Sequence, residues 1–146
     1  HGGFYNHFRS KDALYVEAIK VNGKCDSIDS SLGGLELAEK VINAYTSKEH
    51  LEDIGHHCPM IALPSDIARS GSEVRQAYES SLINMVSIFE NLSDESDSEE
   101  SRQRSLSIVA LCVGGMVIAR TVDNNELAEE IRKAALKTAK ELVRQA

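Results

Sequence analysis

Residues 106–122 read LSIVALCVGGMVIARTV, and this pattern decides the fold. Ser107, Arg120 and Thr121 are the only polar side chains in the stretch, so at helical spacing both the 106/109/110/113/117 face and the 108/111/112/118/119 face are apolar. A helix apolar all round in a chain this small has to be covered on both sides. One cover is the chain's own core; the other is expected to be a partner chain. The nearly pure apolar run inside it, IVALCVGGMVIA, has 12 residues, against roughly 20 for a membrane-spanning helix. The stretch therefore reads as a buried helix, and no membrane partner is expected. Gly114 and Gly115 remove two side chains from its middle, at about 1 kcal/mol each in helix propensity. A second helix backbone approaching closely would account for them.

Working outward, Asp123 with Glu126 three residues on predicts a capped final helix, with Leu127, Ile131, Ala134, Ala135, Thr138 and Leu142 on its apolar stripe. Two such helices from each of two subunits make a four-helix bundle. The predicted homodimer interface is Leu106, Val109, Val113, Gly114, Val117, Leu127, Ile131, Ala135 and Thr138. Upstream, SDESDSEES at 93–101 holds five carboxylates with no apolar residue and no base, the composition of a solvated linker. Before it, Ser70 and Glu73 form a capping box leading into Val74, Tyr78, Leu82, Met85, Val86 and Phe89, one face of a long amphipathic helix. A shorter helix over about 60–69 begins or bends at Pro64, with Pro59 suited to a first turn. Another carries Leu35, Ala38, Val41, Ile42 and Tyr45 and stops around Thr46 to Lys48. Ser10 caps a helix with Asp12 in its first turn and Leu14, Tyr15, Ala18 and Ile19 on one face. With no strand alternation or hairpin signal, the expected class is all-α.

Composition bounds the function. The 146 residues are 42% hydrophobic, enough for one core of ordinary domain size. The net charge of −7 argues against a polyanion partner for the chain as a whole. Residues 1–24, however, sum to +2 and the remainder to −9, a weakly basic tip on an acidic body. Cys25, Cys58 and Cys112 are odd in number and irregularly spaced, which points to a reducing cytoplasm and not to a disulfide framework. His50, His56, His57 and Cys58 are the most metal-like cluster, but adjacent ligands do not close a tetrahedral site and no zinc spacing is present. No metal and no cofactor are expected. Cys58 beside imidazoles suits a redox or electrophile sensor. No nucleophile elbow, P-loop, dinucleotide fingerprint or zincin motif is present, so no enzyme is expected.

The basic tip begins HGGFYNHFRSKDAL, with an apolar face of Phe4, Tyr5 and Phe8 already under way. Phe4 and Phe8, one turn apart, anchor the end of a short helix. Tyr5, His7, Lys11 and a helix N-terminus gathered close together can all donate to phosphate oxygens. The stretch resembles the end of the recognition helix and the start of the next helix in the TetR family of bacterial transcriptional regulators. The family pattern G-x-[FL]-Y-x-[HY]-F-x-[SN]-K-[ED]-x-L is met by Gly2, Phe4, Tyr5, His7, Phe8, Ser10, Lys11, Asp12 and Leu14. The body, from HCPMIALPSDIARSGSEVRQAYE through RSLSIVALCVGGMVIARTVDNNELAEEI, is similar to the ligand-binding and dimerisation part of one branch of these regulators.

That resemblance implies residues 1–9 as the end of a helix-turn-helix domain whose earlier helices lie upstream of His1, and residues 10–146 as a ligand-binding and dimerisation domain. It implies operator DNA as a partner, held through its backbone by Tyr5, His7 and Lys11, and a small-molecule inducer that releases it, with repression as the expected mode. The inducer pocket is expected among Tyr45, Met60, Leu63, Ile67, Tyr78, Met85, Phe89, Cys112 and Met116, where methionines and aromatics suit an adaptable apolar cavity. The alternative is a helical ligand-binding or interaction module that does not touch DNA.

Overall fold

The computed structural model describes residues 9–22, 33–53, 58–92 and 99–145. Every regular element among them is a helix, as the periodicity predicts: α1 (Lys11–Asn22), α2 (Gly34–Tyr45), α3 (Lys48–Glu52), α4 (Pro59–Ala62), α5 (Pro64–Ala68), α6 (Ser72–Glu90), α7 (Glu99–Thr121) and α8 (Asn125–Val143). Several helix starts have a local cause. The Ser10 hydroxyl accepts from the Ala13 amide at 3.0 Å, the cap expected for α1. Pro59 and Pro64 each stand in the first turn of a short helix, where a missing N–H costs nothing. Pro64 thus starts a new helix instead of bending a longer one.

Two caps differ from the sequence expectation. Helix α6 is preceded by Gly71, not Ser70; the Ser70 hydroxyl instead donates back to the Asp66 carbonyl at 2.9 Å and closes α5. Helix α8 is capped by Asn124, whose Oδ1 accepts from the Glu126 and Leu127 amides at 2.9 and 3.0 Å. Asp123 lies one residue too early for that geometry.

Helix α7 is the central element, with α8 packed along one side and α4 and α6 on another. Its inner face, Ile108, Val109, Cys112, Met116 and Ala119, is buried. The three residues between α7 and α8 make the two antiparallel neighbours. Their contact is so close that a Cβ added to Gly115 would lie 2.5 Å from the Ala135 Cβ, whereas one on Gly114 would meet nothing within 4 Å. Of the two glycines, Gly115 serves packing inside the chain. Helix α7 also starts earlier than the composition suggests: Glu99 and Glu100 form its first turn, and Ser101 is buried. The acidic segment read as a linker therefore includes helix at its end, and 93–98 lie outside the described residues.

The main core joins α2 (Ala38, Val41, Ile42), α4 (Met60), α6 (Met85, Val86, Phe89), α7 (Ile108, Val109, Cys112) and α8 (Ala139, Val143). A smaller cluster of Val16, Ile19, Ile67 and Val74 holds α1 against α5 and the first turns of α6. By length and composition α7 would be long enough to cross a membrane. Its 23 residues exceed the 12-residue run because the helix also includes the charged and polar turns on either side, with Glu99, Glu100, Arg102 and Arg104 before the run and Arg120 and Thr121 after it. One of its faces is nevertheless committed to the chain's own core.

Candidate functional site

Four regions bear on function. The first is the N-terminal end of α1. Tyr5 and His7 lie outside the described residues. Arg9 and Lys11 are exposed there, and the Lys11 ammonium sits 5.2 Å from the centre of the Tyr15 ring, a cation–π arrangement. Its pKa is raised, chiefly by a hydrogen bond to Tyr15, so it stays cationic. Asp12 faces the other way, its Oδ2 accepting from the Gly71 amide at 3.3 Å. That bond ties the start of α1 to the start of α6 and takes one carboxylate away from the exposed cations.

The second region is the interior. Met60, Met85, Phe89 and Cys112 belong to the main core with Tyr45 and Tyr78 packed on it, and Ile67 belongs to the small cluster with Leu63 and Tyr78 packed on that. Met116 is fully buried. Most of the residues expected to line an inducer pocket are therefore brought together, but as packed core. Their polar groups form an island of neutral donors and acceptors. The Tyr45 hydroxyl and Cys58 Sγ share a hydrogen bond at 3.7 Å, and the Tyr78 hydroxyl donates to the Met60 carbonyl at 3.3 Å. Burial first, then the neighbouring Cys58, pushes the Tyr45 hydroxyl well above its ordinary pKa, and Tyr78 is raised for the same two reasons. Burial pushes the Cys112 thiol up to about 12. All three stay uncharged at neutral pH, as groups in an apolar interior must.

The third region is the outside of α7 and α8. Leu106, Ile118 and Leu127 are exposed large apolar side chains, Val113, Gly114, Val117 and Ile131 are half-buried, and Ala110, Ala134 and Thr138 are exposed. Seven of the nine expected interface residues thus point wholly or partly away from the core. Val109 and Ala135 do not: each is buried inside the chain, Val109 on the inner face of α7 and Ala135 on the inner face of α8, which is Ala128, Arg132, Ala135, Ala139 and Val143. That face is rotated by one residue from the stripe its larger apolar side chains suggest.

The fourth region was missed in the sequence reading. Two arginines grip the corner between α2 and α3. Arg132, largely buried on α8, donates from Nη1 to the Thr46 carbonyl at 2.6 Å and holds Glu129 through Nε and Nη2 at 2.7 and 2.6 Å. Arg120 on α7 donates to the carbonyls of Leu51 at 3.2 Å, Asp53 at 3.4 Å and His50. These carbonyls are those a helix end leaves unpaired, and a guanidinium is the group that satisfies several at once. The Arg132 hydrogen bonds, with help from Lys133, pull the Glu129 carboxyl down to about 2. Beside this corner is an open cleft of about 930 Å³ lined by residues including Lys48, Glu52, Arg120, Glu126, Glu129 and Lys133. The available signal was an arginine inside each of two otherwise apolar helical faces.

His50, expected as part of a histidine and cysteine cluster, belongs to this corner as well. Its Nδ1 is 2.6 Å from the Tyr45 carbonyl, its ring meets the Tyr45 ring edge-on at 5.0 Å, and burial lowers its pKa. His56 and His57 lie outside the described residues. Among the described residues no three metal-ligating side chains gather. The fold these regions define is an all-α bundle around α7 and α8. Comparison with family models gives no match, and comparison with curated proteins gives none.

Proposed function

We propose that the chain is the ligand-binding and dimerisation part of a TetR-like transcriptional regulator, a repressor that holds operator DNA as a homodimer and is released by a small-molecule inducer. The observation that carries this reading is the motif over residues 2–14, whose described half has the required form: Ser10 caps α1 and Lys11 stands exposed in its first turn. Tyr5, His7 and Lys11 would hold the DNA backbone, supplying affinity and salt dependence but not sequence choice. The outward apolar side chains of α7 and α8 would meet their counterparts in a second copy, placing two recognition helices about 34 to 36 Å apart, one turn of DNA. An inducer that prefers another arrangement of the core changes that separation, and DNA in turn weakens the inducer's binding by the same factor. The polar island of Tyr45, Cys58 and Tyr78 is where such a molecule would find hydrogen-bonding groups.

The test uses the chain together with whatever its gene encodes upstream of His1, titrated against DNA from its own promoter region at several salt concentrations, with light scattering on the same sample. A dimer whose specific affinity falls steeply with salt, and is lost when Tyr5 and Lys11 are replaced by Ala, supports the regulator. Leu127→Glu, at an exposed position of α8, should then split the dimer and weaken operator binding while leaving the helix content unchanged. A monomer, or a dimer with non-specific DNA affinity alone, moves the weight to a ligand-binding or interaction module independent of DNA.

A further inference from the structure

The open cleft beside the arginine corner carries a charge pattern of its own. Its volume of about 930 Å³ is that of a small-ligand site. The inner part of its lining is apolar: Ala119 and Ala128 are buried, and Leu51 and Val122 are half-buried. Arg120 is set among them, half-buried as well. Its described bonds run from Nε and Nη2 to the carbonyls of His50, Leu51 and Asp53. They hold the guanidinium in a fixed direction, and none of them uses Nη1. Carbonyl dipoles orient that charge without cancelling it. In partly dry surroundings a carboxylate pairs with it more strongly than in water.

The rim has a different character. Lys48 and Glu52 pair at 3.6 Å on α3, and Lys133 and Glu129 at 3.3 Å on α8, so these charges are answered within the chain. Glu126 and Glu130 are exposed on the α8 wall and enter no ion pair among the described residues. They stand four residues apart on one helix, where like charges repel, and an ammonium between them removes that repulsion. The cleft is therefore bipolar, with an uncancelled cation inside, apolar surface around it and two carboxylates at the edge. A simple acid meets the carboxylates and a simple amine meets the guanidinium, a repulsion that a molecule with both charges escapes. We infer that this cleft binds a small apolar zwitterion, an apolar α-amino acid or a short apolar peptide, with its carboxylate on Arg120 and its ammonium between Glu126 and Glu130. The site uses none of the residues of the Tyr45, Cys58 and Tyr78 island, and it binds whether or not the chain regulates transcription.

The measurement is a titration of the whole chain, followed by amide nuclear magnetic resonance, with leucine and with leucyl-leucine at millimolar concentrations. Shifts concentrate in α3, the end of α7 and the start of α8 for at least one of the two; the tighter binder tells amino acid from peptide. Leucinamide, which lacks the carboxylate, binds about tenfold more weakly than leucine, the scale of a lost charge-assisted hydrogen bond. N-acetyl-leucine, which lacks the ammonium, binds about threefold more weakly, the scale of an exposed ion pair. Arg120 also holds the corner, so the variant chosen is Glu126→Gln with Glu130→Gln, both at exposed positions. In that chain leucine and N-acetyl-leucine bind equally, while leucinamide stays about tenfold weaker than leucine. No shift at the cleft with either zwitterion overturns the inference. So does a blocked compound that binds the unmodified chain as tightly as leucine, or a preference for the free ammonium that survives in the double variant.

Discussion

Adjacent glycines in the middle of α7 should respond oppositely to the same substitution. A Cβ at position 115 lies 2.5 Å from the Ala135 Cβ, while ordinary carbon contacts are about 3.5 to 4.0 Å. Relief needs a separation of about 1 Å or more. Ala135 has no rotamer to change, so the backbones of α7 and α8 must move apart. Overpacking of this kind costs about 1 to 3 kcal/mol, set against about 1 kcal/mol gained by exchanging Gly for Ala in a helix. With a rigid obstacle the cost falls in the upper half of its range, and Gly115→Ala should lose about 1 to 2 kcal/mol net. Gly114→Ala meets nothing within 4 Å and should gain up to about 1 kcal/mol. Urea unfolding followed by circular dichroism measures both, with the slope checked for constancy; in Tm the two variants should differ by several degrees. The reverse exchange, Ala135→Gly in the Gly115→Ala chain, restores the space and should show a coupling energy of about 2 to 3 kcal/mol in a double-mutant cycle, because the propensity changes cancel and the overpacking cost alone remains. If Gly115→Ala is as stable as Gly114→Ala, the close approach of α7 and α8 is refuted. Measured at protein concentrations that span dissociation, Gly114→Ala also probes the proposed partner: a weakened dimer means that a second backbone comes close at Gly114.

Two further outcomes follow from the α8 end of the molecule. Asn124→Ala removes the acceptor for the Glu126 and Leu127 amides and should cost about 1 kcal/mol in urea unfolding, whereas Asp123→Ala should stay within about 0.5 kcal/mol of the parent. Glu129 has its folded pKa lowered from 4.5 to about 2, mainly by Arg132. Its contribution is therefore fully present above about pH 4.5 and is lost as the pH falls toward about 2. Glu129→Gln should flatten that part of the stability profile and leave the neutral region as the less stable one relative to the parent.

The helical class was legible because long apolar periods survive any error at their ends. The α6 face of Val74, Tyr78, Leu82, Met85, Val86 and Phe89 is buried or half-buried throughout, since each of those side chains is large enough to mark its direction. Where small residues make the contact the signal fails. In α8 the eye follows Leu127 and Ile131, but the inner face is built from Ala128, Ala135 and Ala139 around Arg132. Alanine carries too little apolar area to set a direction by itself, and the gap that Gly115 leaves for Ala135 is a matter of shape, which periodicity does not record. The same size rule misplaced Leu35, which is exposed, and passed over Val16, which is buried. The capping residues were missed by one position at α6 and α8, because Ser, Asp, Asn and Gly stand side by side and only backbone direction chooses among them. The arginine corner was hidden for a further reason: Arg120 and Arg132 lie 69 and 86 residues from the Leu51 and Thr46 carbonyls they bond. What local pattern does yield is the division of labour in the last two helices. In α8 the inner face is largely alanine, while α7 buries Ile108, Val109 and Met116; both helices also turn large apolar side chains outward, Leu106 and Ile118 on α7 and Leu127 on α8. Under the proposed homodimer a second copy would cover those outward side chains, giving both faces of the pair a use.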